Sequence, residues 1–106
     1  MWQKRKIEGY WNNSRNDYPE YPLPVPNALS IDEANEIADM IVGCQLIAIK
    51  DGYLGPTTSR ITGERLGWAE YELDDWIWPG DFAEHYVRTH RVKPTDEFLT
   101  FVKSKQ

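Results

Sequence analysis

The sequence predicts an α+β fold, and three observations carry that expectation. A capping box, Ser30-Ile31-Asp32-Glu33, opens a stretch with apolar residues at helical spacing. Leu66 to Leu73 then alternates in the manner of a strand. Beyond Pro79-Gly80, two further segments regain helical periodicity. The predicted order is an N-terminal extended Pro-rich arm, a capped helix, a three-stranded antiparallel meander and two C-terminal helices. A chain of 106 residues makes one domain. Residues 1–29 are expected to form the arm, packed on an α+β core of residues 30–106.

The arm begins with Lys4 to Trp11, which suits a short strand, and a polar loop from Asn12 to Asp17. Pro19, Pro22, Pro24 and Pro26 follow. Each proline fixes φ and restricts the residue before it, so this backbone is extended. Tyr18, Tyr21, Leu23 and Val25 alternate with the prolines and are expected to pack down on the domain. A proline-rich ligand for another protein is the less favoured reading.

In the first helix, Leu29 and Ala34 occupy the positions of a hydrophobic staple. Ile31, Ala34, Ile37, Ala38, Ile41 and Cys44 form its apolar stripe, and Asp32, Glu33, Glu36 and Asp39 load its N-terminal half. It should stop between Leu46 and Lys50, with Asp51-Gly52 as the turn. The first strand of the meander is expected at residues 57–61, turning at Thr62 to Arg65. In the second strand, Ala69, Tyr71 and Leu73 take one face and Trp68, Glu70 and Glu72 the other. Asp74-Asp75 turns into the third strand, Trp76-Ile77-Trp78. Asp81 then caps a helix carrying Phe82, Tyr86 and Val87 inward. Thr95 caps a last helix with Phe98, Leu99, Phe101 and Val102.

Composition bounds the function. Five Trp, six Tyr and three Phe supply much of the apolar content, so a few aromatic rings must hold the core together. A net charge of −5 disfavours adhesion to nucleic acid or an anionic membrane. Met40 to Ile49 is interrupted by Gly43 and Gln45 and is too short to span a bilayer. Cys44 is the single cysteine, and no apolar export segment follows Lys4, Arg5 and Lys6. The expectation is a cytoplasmic protein without a cofactor.

Arg60-Ile61, Gly63, Trp78-Pro79, Gly80, His85-Tyr86-Val87, His90, Val92, Pro94 and Phe98 form a further pattern. With it, the C-terminal half resembles a family of small uncharacterised bacterial and phage proteins. Its members show Cys-Arg-(Ile/Leu)-Cys-Gly, then Trp-Pro-x-Gly, His-Tyr-Val and a second His. The resemblance implies no known activity. It does imply that Cys-x2-Cys and His-x4-His would together hold a structural zinc in cysteine-bearing members. Here Ser59 and Thr62 stand at the cysteine positions beside His85 and His90. Hydroxyls are poor zinc ligands, so the expectation is a degenerate site with no metal, Ser59 and Thr62 hydrogen-bonding the imidazoles. Asp81 or Glu84 are the carboxylates nearest in sequence to recruit a weak ion.

Three functions follow from these features. The favoured one is a non-enzymatic, acidic protein-binding module, in the phage or mobile-element setting that the resemblance implies, acting on a host or rival protein. Trp68, Glu70, Glu72, Asp74 and Asp75 would form its binding surface, an aromatic anchor rimmed by acids. Six acids and no base lie between Arg65 and Arg88, which supports a basic partner. The second is an orphan structural domain with a lapsed zinc site. The third is a small hydrolase using His85 and His90, with Ser59 or Ser14 as nucleophile. No nucleophile elbow or Gly-rich phosphate loop accompanies those residues.

Overall fold

The computed structural model describes residues 6–52, 58–67 and 69–106. Lys4, Arg5, Thr57 and Trp68 lie outside the described residues. Among the described residues, three helices pack on one face of a four-stranded mixed sheet, an α+β fold. The elements run β1 (Lys6–Ile7), α1 (Ile31–Gln45), β2 (Ile49–Gly52), β3 (Ala69–Leu73), β4 (Trp76–Pro79), a π-helix (Phe82–Thr89) and α2 (Asp96–Ser104). The strand order is β1-β4-β3-β2. Strands β2, β3 and β4 are antiparallel, and β1 joins β4 in parallel.

The capping box is formed in both directions: Ser30 Oγ accepts from Glu33 N–H and the Glu33 carboxylate accepts from Ser30 N–H, each at 3.1 Å. Ala34, Ala38, Ile41 and Cys44 are buried along one stripe. Ile31 was expected in that stripe but is exposed. The small Ala34 and Ala38 sit on the side where α1 packs against the π-helix.

The meander departs from expectation in its first strand. Asp51-Gly52 was expected to turn, yet these residues end β2 and pair with Glu70 and Ala69. Residues 58–65 contribute only the single bridge Thr58 to Arg65. The reason is local: Ser59 Oγ accepts from the N–H groups of Ile61 and Thr62, both at 3.1 Å. That side-chain turn removes those donors from a strand ladder. Asp74 takes a left-handed φ of 55° between β3 and β4, a conformation Asp tolerates.

The sheet's inner face and the helices enclose an aromatic core. Trp78 is fully buried, 5.5 Å from the Phe98 ring, and Tyr71 stacks on it at 6.1 Å. Phe82, Trp76 and Val102 complete the centre. The Trp78 indole N–H donates to Gln45 Oε1 at 3.2 Å, so its polar edge is satisfied. Gly9 has a φ of +80°, and a Cβ there would meet the Phe82 ring at 2.7 Å. Only glycine permits that approach.

Phe82, Tyr86 and Val87 point inward as expected, but the segment is π-helical. His90 N–H donates to His85 O, five residues back, at 3.1 Å. Asp81 makes no side-chain cap. Thr95 does cap α2, accepting from Phe98 N–H. Within the Pro-rich stretch, Tyr18, Leu23 and Val25 were expected to pack down and are instead exposed. That segment is tied by backbone: Asn12 N–H to Pro22 O, and Asn27 N–H to His90 O, both at 2.8 Å.

Candidate functional site

Two places gather the residues that the sequence singles out. The first is the outer face of the sheet. Pairing registers align Ile7 with Ile77, Ile77 with Glu72, and Glu72 with Ile49, one row across all four strands. Cross-strand partners share a face. Trp76, Trp78, Tyr71 and Leu73 take the opposite, inner face, and Lys6 lies over the Trp76 ring at 5.6 Å. The row therefore points away from the core. Ile49 is 62% exposed and Ile7 48%. Leu46 and Ile47, just before β2, are exposed as well. Beside β1, a groove of about 310 Å³ is lined by Ile7, Tyr10, Glu20 and Tyr21.

The five expected binding residues separate here. Glu70 and Glu72 share the outer face, and the Glu70 carboxylate accepts from the Tyr10 hydroxyl. Asp74 faces Lys105 at 2.5 Å and Asp75 faces Lys6 at 3.9 Å. Those two acids meet bases of the chain's own ends. Trp68 lies outside the described residues. Sequence reasoning missed Ile7, Ile49 and Ile77. Helical periodicity predicts a helix end across Leu46-Ile47-Ala48-Ile49, although β-branched residues there are a strand signal.

The second place is the corner between the loop 58–65 and the π-helix. Ser59 Oγ lies 2.7 Å from His85 Nε2. A hydroxyl has two lone pairs and one proton. Ile61 and Thr62 N–H occupy the lone pairs, so the Ser59 proton points at Nε2. In the tautomer this hydrogen bonding assigns, the other ring nitrogen, Nδ1, carries the proton; it faces Glu64 Oε1 at 3.6 Å. Burial, then the neighbouring His90, lowers the His85 pKa below its usual value, with Glu64 opposing. Burial raises the pKa of Tyr86, whose phenol oxygen accepts from Arg60 N–H at 3.1 Å.

His90 reaches the same corner because of the π-helix. Residues five apart lie about 140° around an α-helix from one another. With hydrogen bonds spanning five residues they come to nearly the same side. The His85 and His90 rings are 4.6 Å apart. Thr62 does not reach an imidazole; its hydroxyl donates to Glu64 Oε1 at 3.0 Å. Neither expected carboxylate joins the pair: Glu84 is held by Arg88 at 2.8 Å, and the carboxylate that does join is Glu64. No sequence pattern marked Glu64, since its place depends on how the loop folds over the helix.

Ser59, His85 and Glu64 follow the donor order of a serine hydrolase triad. Two features weaken Ser59 as a nucleophile. Its lone pairs are engaged by backbone N–H groups, and only 4% of the residue is exposed. The arrangement acts as a clasp between loop and helix. Compared with known protein families, curated proteins and solved structures, the chain has no match in any of the three.

Proposed function

We propose that this protein is a non-enzymatic binding module that engages another protein through the outer face of its sheet. The observation that carries this reading is the row Ile7, Ile77, Glu72 and Ile49, turned away from the core and exposed at both ends. Exposed apolar side chains on a rigid sheet, with carboxylates set among them, suit a partner segment bearing apolar residues and lysine or arginine. The net charge of −5 favours the same class of partner. The sequence-based candidates Glu70 and Glu72 belong to this face, and Trp68 adjoins it in the chain. Asp74 and Asp75 form its flank.

The family resemblance supports a phage or mobile-element setting, with a host or rival protein as the partner. A cytoplasmic location suits a chain whose cysteine, Cys44, is a buried free thiol. No helix among the described residues is long and apolar enough to cross a membrane.

Photo-crosslinking tests the reading. A crosslinking residue at Ile49 captures a defined partner in native-host lysate, while one at exposed Glu36 on α1 does not. Ile7→Asp and Ile49→Asp abolish that capture and leave the melting temperature near wild type. Equal capture from both faces, or capture indifferent to both substitutions, overturns it.

A further inference from the structure

We propose that Glu64, His85 and His90 bind one divalent transition-metal ion, of which zinc is the representative. One ligand atom from each residue lies within 4.8 Å of the other two. Two imidazoles and a carboxylate are a donor set that zinc accepts, leaving a position open for water. The groups come from two elements, the loop 58–65 and the π-helix, so an ion here ties them together.

Three features prepare the corner. The π-helical hydrogen bond from His90 N–H to His85 O brings the two imidazoles edge-on, 4.6 Å apart. The Glu64 side chain is more than half exposed and can swing inward by the ångström or so that metal–ligand distances of about 2 Å require. Ser59 Oγ stands at 2.7 Å from His85 Nε2 and can serve as the outer hydrogen-bond partner that ligating histidines have. Coordination through His85 Nδ1 displaces its proton to Nε2. The Nε2–H then replaces the backbone N–H of Ile61 or Thr62 at one of the two Ser59 lone pairs, and the Ser59 proton turns to the adjacent Tyr86 phenol oxygen. No net proton is released in that exchange.

The site differs from the cysteine-based arrangement that the resemblance implies. Its third donor is Glu64, and Ser59 contributes a hydrogen bond in place of a ligand. The fold has its own apolar core, so the ion adds stability without being required for folding. That addition grows with ion concentration above the dissociation constant.

The test uses tag-free full-length protein and zinc alone, in competition with a chromophoric chelator. Wild type binds one zinc per chain, and its melting temperature rises with added zinc. Glu64→Gln and His90→Asn each weaken binding by about tenfold or more while keeping the far-UV spectrum. Ser59→Ala weakens it about ten- to hundredfold. X-ray absorption shows nitrogen and oxygen neighbours only. Absence of stoichiometric zinc, affinity unchanged in both ligand variants, or a sulfur neighbour from Cys44 each overturns the proposal.

Discussion

The Ser59 hydroxyl and the His85 imidazole meet at 2.7 Å across 26 residues of chain. With both Ser59 lone pairs taken by backbone donors, the hydrogen bonding assigns acceptance at Nε2 and the ring proton to Nδ1. Nitrogen-15 spectra of histidine-labelled, metal-free protein near neutral pH are expected to show the Nδ1–H tautomer at His85. Ser59→Ala strands two backbone N–H groups and one ring nitrogen. It should cost about 1–3 kcal/mol in denaturant unfolding. An Nε2–H tautomer would reverse the roles assigned here.

Stability should fall with acidity through His85. Its folded pKa is lowered, chiefly by burial, below the ordinary 6.5. A depressed folded value means that the contribution is complete above 6.5 and is lost as pH falls through the lowered one. Protonation also removes the Nε2 acceptor that Ser59 uses. The melting temperature of metal-free wild type is expected to drop more steeply between about pH 7 and pH 5 than that of His85→Gln. Parallel profiles would show that the ring titrates as it does in the unfolded chain.

Glu8 should behave with the opposite sign. Its buried carboxylate accepts from Thr95 N–H at 2.7 Å and from the Thr95 hydroxyl at 2.9 Å. Burial nevertheless raises its pKa above the ordinary 4.5. A raised folded value gives a contribution complete below 4.5 and lost as pH rises through the raised one. The stability of Glu8→Gln relative to wild type should therefore improve as pH climbs from about 4 to 7. A constant difference across that range would contradict the shift.

Trp78 should be the costliest single truncation. Its ring is fully buried between Tyr71 and Phe98, and its N–H is bonded to Gln45. Trp78→Ala should lose about 3–5 kcal/mol in urea unfolding. That is a large fraction of the stability a domain of this size commonly has. Trp78→Phe, which keeps most of the volume, should lose less. A near-neutral Trp78→Ala would require the core to collapse into the vacated space.

The local elements were legible because their signals are short-range. Ser30 and Glu33 mark the start of α1, and Thr95 marks the start of α2, through hydrogen bonds closed within three residues. The alternation of β3 correctly assigned Tyr71 and Leu73 to the core side. Strand β2 was not legible. Its Ile-Lys-Asp-Gly follows a helix and contains a turn-forming pair, and only pairing with β3 makes it a strand. The candidate surface was half legible for the same reason. Glu70 and Glu72 follow from alternation along one strand, whereas Ile7, Ile77 and Ile49 join them through cross-strand register.

The sequence by itself determined the α+β class, the helix caps, the inward aromatic residues and the acidic balance. Each depends on spacing within one segment or on composition. Tertiary structure alone decided the parallel docking of β1, the membership of β2 and the company of His85. A His-x4-His spacing separates the two rings on an α-helix, and π-helical bonding brings them together. Ser59 and Glu64 reach His85 from a loop distant in sequence, through contacts that exist only when that loop closes over the π-helix. Such contacts depend on packing between segments, which no periodicity within a segment encodes.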